Sequence, residues 1–221
     1  DGIYTAETHG PPGRALQLLL PDLRYNRTPL RRMDLGGRSY EEWAKERERS
    51  GAEVPGPYER NPSLDATMLG EAQWAWLEAE LARPAEVRIL CSSLQVVADF
   101  AGWEGWINYA RDHQRLLEVI RRCRAHGLFC ISGDTHYGEI SRLDTHVPYP
   151  LWDFTSSGLT EVWHVQPPNA LRRSPIFRNV NFGWIEIDWD APAPRVSVQI
   201  RDGRGEVQLE QRLDIGALRV R

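Results

Sequence analysis

Three short apolar runs, separated by segments with helical periodicity, constrain the fold of this chain more than any other feature. The runs lie at 15–20, 87–94 and 128–132, and polar or small residues follow each of them. A continuous apolar run of this length is typical of a strand that is buried on both faces. Because such strands alternate with helical segments, the pattern predicts an α/β fold with a parallel sheet.

Two segments between and after these runs are predicted to form helices. The first covers 68–84 and ends at Pro84. Its apolar positions keep helical spacing: Leu69, Ala72, Trp76, Leu77 and Leu81. The second covers 111–127, and Gly127 stands where a C-terminal cap is expected. Its apolar stripe consists of Leu116, Val119, Ile120 and Cys123.

The last part of the chain has a different pattern. Residues 149–158 predict a further strand that ends in a turn of small residues. Three later runs alternate or are rich in β-branched residues, and turns separate them, which predicts an antiparallel meander: FGWIEIDW, RVSVQIRD and EVQLEQRLDI. The segment 36–61 is charged and contains several Gly and Pro residues, so we expect a long surface insertion with a helix over 41–49.

Composition and charge exclude several classes of function. The 221 residues carry a net charge of −4, so the chain lacks the basic surface on which nucleic-acid binding depends. No apolar run reaches the length of a membrane-spanning helix. Three cysteines cannot all pair, which excludes a complete disulfide framework. The first residues resemble no secretory leader, and the cellular compartment stays unknown.

The strongest chemical signal is the segment GDTHYGE at 133–139, which follows the strand predicted at 128–132. Asp134 and His136 are two residues apart at a strand end, where α/β proteins commonly bind ligands. A carboxylate and an imidazole in such a turn can face one cation, and their ligand atoms suit zinc, manganese or iron. The same spacing fits an aspartate that caps a turn beside a surface histidine, and spacing alone does not separate the two interpretations.

Other polar residues also stand near predicted strand ends. Arg24 follows the first strand, where its guanidinium could hold a phosphate oxygen or simply lie in a solvated basic loop. Gln95 follows the second strand and either donates to a substrate or satisfies nearby backbone groups. Glu139 either orients His136 or pairs with Arg142 on the surface.

Aromatic residues and histidines give weaker signals. Trp103 and Trp106 lie in a loop after the second predicted strand, and such residues serve packing more often than substrate binding. Because this loop leaves the neighbouring strand end, we expect both side chains near the mouth of the same cleft as His136. His113 and His126 are expected to be solvated, and His164 could approach the site.

The ordered string of motifs resembles the PhoD-like (alkaline phosphatase D) metallophosphatase family. The blocks that carry the resemblance are LLLPDLRYNRTPL, MLGEAQWAWLEAEL, RILCSSLQVV, SGDTHYGEISRLD, YPLWDFTSSGLT and NFGWIEIDW. SGDTHYGEIS is the most specific of them. Together the blocks extend over almost the whole chain.

This resemblance implies a calcineurin-like fold, a layered α/β/β/α metallophosphoesterase sandwich. Residues 1–221 would form the C-terminal portion of one such domain, with an antiparallel strand-rich tail. The implied activity is metal-dependent hydrolysis of phosphate monoesters or diesters, with iron and calcium as cofactors and manganese or zinc as alternatives. Asp134 and His136 match the family's metal-binding segment, Arg24 matches an arginine near the phosphate, and Gln95 is a further substrate-binding candidate. A protein that follows the family would be periplasmic or extracellular.

The chain also departs from the family pattern. Pro21 precedes Asp22 where the family block usually reads Leu-Asp-x-Arg-Tyr. The family's N-terminal half, which carries further metal-binding carboxylates, has no counterpart here, and Asp22, Glu139 and Asp153 could replace them only by converging on His136. We therefore expect a catalytically incomplete part of a phosphatase whose partner is the missing half. The alternative is a non-catalytic α/β interaction domain derived from the same fold.

Overall fold

The computed structural model describes residues 2–61, 63–163, 166–191 and 193–220, and its central element is a six-stranded mixed sheet. The strands are β1 (Thr5–His9), β2 (Leu16–Leu20), β3 (Val87–Cys91), β4 (Leu128–Ser132), β5 (Gly138–Leu143) and β6 (Leu151–Ser156). Their order is β1-β2-β3-β4-β6-β5. Four of them, β2, β3, β4 and β6, are parallel, and β1 and β5 pair antiparallel at the two edges. The three apolar runs are therefore adjacent parallel strands, as predicted.

The tail forms a second sheet of three antiparallel strands. These are β7 (Asn181–Asp188), β8 (Arg195–Asp202) and β9 (Val207–Asp214), which confirms the predicted meander. This sheet packs on one face of the large sheet. The contact is close at Gly138, where a Cβ would stand 2.9 Å from the Ile200 side chain. Glycine at 138 therefore allows the two sheets to approach each other closely.

Three α-helices complete the layers: α1 (Tyr40–Arg49), α2 (Glu71–Leu81) and α3 (Ala110–Arg122). In the strand register, Gln17 of β2 points to the face opposite to Gly138, and its Nε2 donates to the Glu80 carbonyl of α2 at 2.8 Å. Helix α2 and the small sheet thus cover opposite faces of the large sheet. These three layers agree with the predicted α/β class, and the complete four-layer sandwich stays a prediction.

The buried face of α2 differs from the predicted stripe, which contained Ala72 and Trp76 but not Trp74. Trp74, Leu77 and Leu81 are fully buried, whereas Ala72 is exposed. Trp76 is half-buried and packs on the Tyr4 ring, with centroids 4.7 Å apart. The helix therefore buries the large Trp74 side chain and leaves the small Ala72 side chain exposed, which removes more apolar area from water.

Helix α3 ends earlier than predicted and uses a different cap. Arg124, at φ 51°, takes the left-handed position after the helix. Gly127 instead lies where a Cβ would stand 2.2 Å from the Glu86 carbonyl oxygen, so it permits a close approach to the start of β3.

His113 and His126 are half-buried, and His126 Nδ1 accepts a hydrogen bond from the Val220 N–H at 3.0 Å. The expectation that both are solvated was wrong, because neighbouring segments pack over them.

One buried carboxylate joins α3 to the loop that precedes α2. Asp112 accepts hydrogen bonds from the Met68 N–H at 2.6 Å and the Thr67 hydroxyl at 2.9 Å. The Trp74 indole N–H also donates to it, at 3.3 Å.

Among the described residues, no helix has both the length and the apolar character needed to cross a membrane.

Candidate functional site

The turn after β4 places Asp134 and His136 on the wall of one cleft. β4 lies inside the sheet between β3 and β6, and the turn leaves its carboxyl end, as predicted. Both residues have left-handed backbones, with φ 71° for Asp134 and 59° for His136. Such angles are uncommon outside glycine and cluster at functional sites. The cleft has a volume of about 280 Å³ and is also lined by Trp103, Glu104, Thr135, Tyr137, Glu161 and Trp163.

The loop after β2 brings Arg24 to the same place. Its guanidinium lies 3.4 Å from the Asp134 carboxylate and 2.7 Å from the Glu104 carboxylate. Arg27 reaches the second oxygen of Glu104 at 2.9 Å. Glu104 thus holds two guanidinium groups beside Asp134. The sequence analysis did not identify Glu104, because the residues next to it in the chain do not indicate which loop its side chain will contact.

Burial and ion pairing act in opposite directions on these carboxylates. Burial raises the pKa of Asp134, and the Arg24 charge only partly opposes this effect. Burial also acts to raise the pKa of Glu104, but hydrogen bonds from Arg27 and Arg24 outweigh it and hold that pKa below its usual value. The two guanidinium groups therefore favour the ionised form of Glu104, whereas burial disfavours the ionised form of Asp134.

Aromatic side chains form another part of the cleft. Trp103 lines it as predicted, and its ring meets that of Trp163 edge to face with centroids 5.8 Å apart. The prediction for Trp106 was wrong: this side chain is fully buried, and its indole N–H donates to the Ser92 hydroxyl at 3.1 Å. His164 lies outside the described residues.

The segment 36–61 supports this aromatic wall. The expected helix is present as α1, and Tyr40 at its start packs edge to face on Trp103 at 5.2 Å. Further along, the Gly56 N–H donates to the Ala101 carbonyl at 2.8 Å. The segment is therefore docked on the loop that carries Trp103.

Gln95 and Glu139 belong to a buried polar network and not to the cleft wall. The Gln95 amide donates to the fully buried Glu139 carboxylate at 2.7 Å. Asn169 donates to the same carboxylate at 2.9 Å, and Arg172 forms an ion pair with it. Neither interpretation of Glu139 was correct, because its charge partner comes from a loop far along the chain. The structure does not bring Gln95 to the walls of the cleft.

The other candidate carboxylates do not converge on His136 either. Asp22 accepts hydrogen bonds from the backbone N–H groups of Ile3 at 2.9 Å and Arg24 at 2.8 Å, and such bonds lower its pKa. Asp153 is fully buried and accepts from the Val96 N–H at 2.7 Å, and burial raises its pKa.

The residues around Asp134 and His136 therefore supply too few donor atoms to hold a metal ion. Among the described residues, no group of three or more His, Cys, Asp or Glu side chains could hold a metal ion. Glu161 approaches His136 Nδ1 only to 3.7 Å. A divalent cation takes four or more ligands, so Asp134 and His136 do not form a metal centre by themselves.

Comparisons with known proteins agree with this architecture. The family model described as PhoD-like phosphatase matches residues 11–210. A search of curated proteins finds no match. Among solved structures, the chain is similar to one described as the structure of PhoD, with a TM-score of 0.57 and 13% sequence identity over 95% of this chain and 43% of that one.

At that identity the structural likeness shows the fold alone, and this chain spans less than half the length of the similar protein. The family model, by contrast, covers most of the chain in sequence. The chain therefore belongs to the PhoD-like phosphatase family.

Proposed function

We propose that this chain forms one wall of the active site of a metal-dependent phosphoesterase that hydrolyses phosphate monoesters or diesters. The observation that carries the proposal is the turn after β4. It places Asp134 and His136 on one cleft, and the Arg24 guanidinium lies 3.4 Å from the Asp134 carboxylate. Membership of the PhoD-like phosphatase family supports the same chemistry.

Each of these three side chains has a defined task in the proposal. Asp134 contributes a carboxylate oxygen and His136 an imidazole nitrogen toward metal binding, with iron and calcium as the first candidates and manganese or zinc as alternatives. Arg24 binds a phosphate oxygen, for which the geometry of a guanidinium is well suited. When bound, the metal ions of such an enzyme supply an activated water and screen the charge of the phosphate.

We propose further that the remaining metal ligands come from another part of the phosphatase. Two donors are too few for a stable centre, because neighbouring cations repel each other unless anionic ligands lie between them. Another part of the phosphatase would have a place to pack, because an open apolar groove of about 430 Å³ lies between the two sheets. Cys91, Ile131 and Phe154 line it on the large sheet, with Ile185 and Val198 on the small one. Alone, the chain should then show little phosphatase activity.

Hydrolysis of p-nitrophenyl phosphate and bis-p-nitrophenyl phosphate tests the proposal, with iron plus calcium and with manganese. We expect activity when the N-terminal half of a PhoD-like domain is added, and its loss in His136→Ala. The matched control is His9→Ala, at an exposed histidine on the edge strand β1. Strong turnover by the chain alone would overturn the proposed incompleteness. Activity that survives His136→Ala would overturn the site.

One observation favours a second candidate, a non-catalytic interaction domain. It is the lack of any three-donor metal group in the described parts of the chain. This alternative predicts neither hydrolysis nor metal binding when the completing half is present. Isothermal titration with Mn²⁺ on the reconstituted pair distinguishes the two candidates.

A further inference from the structure

Asp153 is a fully buried carboxyl group in the middle of β6 that the proposed function does not use. Its Oδ2 accepts hydrogen bonds from the Val96 N–H at 2.7 Å and the Val97 N–H at 3.0 Å. The other oxygen, Oδ1, is enclosed and has no hydrogen-bond partner among the described residues. A buried carboxylate is stable as an anion only when donors or a counter-charge compensate for the lost water. The one-sided contact therefore disfavours the charged form.

The groups that surround Asp153 supply no free positive charge. Its register partner on β4 is Cys130, and burial raises the pKa of this thiol, so the thiol is neutral. Its register partner on β5 is the uncharged Ser141, and the nearby Glu139 is a second carboxyl group. Arg172 forms its ion pair with Glu139. One guanidinium thus accompanies two buried carboxyl groups, which leaves one of them without a counter-charge.

The charge balance and the electrostatics of Asp153 agree. Burial raises the pKa of Asp153, and the Glu139 charge acts in the same direction. The hydrogen bonds from the Val96 and Val97 N–H groups lower this pKa but do not cancel the effect of burial.

The same carboxyl group fixes a loop that leads to the cleft. Val96 and Val97 follow β3, and the chain continues from them to Trp103 and Glu104, which line the cleft. A negative charge on Asp153 would therefore appear at the base of this loop.

We propose that Asp153 carries a proton in the folded chain and is a pH-sensitive anchor for the loop between β3 and the cleft wall. At neutral pH the proton is on Oδ1, and Oδ2 accepts from the Val96 and Val97 N–H groups. Ionisation at alkaline pH puts an uncompensated charge in the interior and weakens the anchor. The inference is independent of the phosphoesterase proposal, because it involves neither a metal ion nor a substrate.

Asp153→Asn tests the protonation state, because an amide is a neutral isostere of the protonated acid. The folded chain holds this proton more tightly than the unfolded chain, whose ordinary pKa is 3.8. The stability that the proton provides is therefore lost as the pH rises above that value. We expect similar urea midpoints for both chains at about pH 5 and a higher midpoint for the variant at about pH 9. A variant that is less stable by the same amount at every pH would overturn the proposal.

NMR of the Asp153 side-chain carbon gives a second measurement that needs no variant. At neutral pH its signal should have the chemical shift of a protonated acid. At alkaline pH it should move to the ionised position, together with the amide signals of Val96 and Val97. An ionised signal at neutral pH would rule out the proposed proton.

Asp112→Asn is the matched control, at another buried aspartate. Both oxygens of Asp112 accept hydrogen bonds, one from the Met68 N–H and the other from the Trp74 indole. The amide of this variant must turn its NH₂ group toward one of these donors, so the urea midpoint should fall at every pH. If Asp153→Asn behaves in the same way as Asp112→Asn, the one-sided contact does not decide the charge of Asp153 and the proposal fails.

Discussion

The Arg24 guanidinium lies 3.4 Å from the Asp134 carboxylate, although 110 positions separate the two residues in the chain. The contact joins the loop after β2 to the loop after β4 and passes the end of β3. It is possible because these three strands are parallel and adjacent, so their carboxyl ends meet at one edge of the sheet. The same edge carries the candidate metal ligands.

Removal of the Arg24 charge should raise the pKa of Asp134 further. Burial already raises this pKa, and Arg24 is the first of the charges that oppose the effect. Titration of the Asp134 side-chain carbon by NMR in Arg24→Ala measures the change. Arg31→Ala, at an exposed arginine paired with Glu59, should leave the Asp134 titration unaltered. An unchanged curve in Arg24→Ala would show that the contact does not form in solution.

Asp112→Ala should reduce the free energy of unfolding by about 3 kcal/mol, because it leaves buried hydrogen-bond donors without an acceptor. The donors are the Met68 N–H, the Thr67 hydroxyl and the Trp74 indole. Urea unfolding followed by tryptophan fluorescence gives the measurement. Asp65→Ala, at an exposed position in the loop before α2, is the control and should change little. Equal urea midpoints for Asp112→Ala and the unsubstituted chain would contradict the prediction.

The free energy of unfolding should fall as the pH drops below about 6.5, in part because of His113. Burial lowers the pKa of His113 from its ordinary value of 6.5. Below that value the unfolded chain binds the proton more readily than the folded chain, so stability rises with pH through this window. His113 shares its surroundings with Glu118, Arg121 and His146.

Urea unfolding at a series of pH values measures this effect. His113→Gln should flatten the dependence below pH 6.5, because the variant has no proton to bind at this position. His9→Gln, at an exposed histidine, should keep the original slope. An identical slope in His113→Gln and the unsubstituted chain would rule out this role for the buried imidazole.

Gly56→Ala should loosen the segment 36–61 from the cleft wall. A Cβ at this position would stand 2.3 Å from the Gly102 carbonyl oxygen, so the backbone must shift. Overpacking of this kind costs about 1–3 kcal/mol, and proteolysis within the segment should become severalfold faster. Gly203→Ala, where the nearest atom would be at an ordinary 3.4 Å, is the matched control. Equal cleavage rates in both variants would contradict the proposed docking.

The local pattern of the sequence was sufficient to predict most of the elements. Continuous apolar runs predicted β2, β3 and β4, and alternation predicted β7 to β9, because both patterns report directly which faces of a strand are buried. The edge strands β1 and β5 were missed. Their residues, TAETH and GEISRL, show no such pattern, since an edge strand needs no continuous apolar face.

The position of the candidate site could also be predicted, but its composition could not. Asp134 and His136 follow β4 directly in sequence, so local reasoning finds them. Glu104 and Glu161 join them only because their loops fold over the same sheet edge. The strand order places β6 between β4 and β5, and no periodicity in the sequence encodes that order.

Sequence alone thus determined which segments are buried, because the burial of a strand or helix face leaves its period in the residues themselves. Only the tertiary structure decided which polar groups meet. Glu139 is an example: its neighbours in sequence allow it to orient His136 or to pair with Arg142 on the surface. It is instead fully buried, with Arg172 as its charge partner. A charge can be buried only where a distant segment supplies its partner, and that depends on how the chain packs in three dimensions.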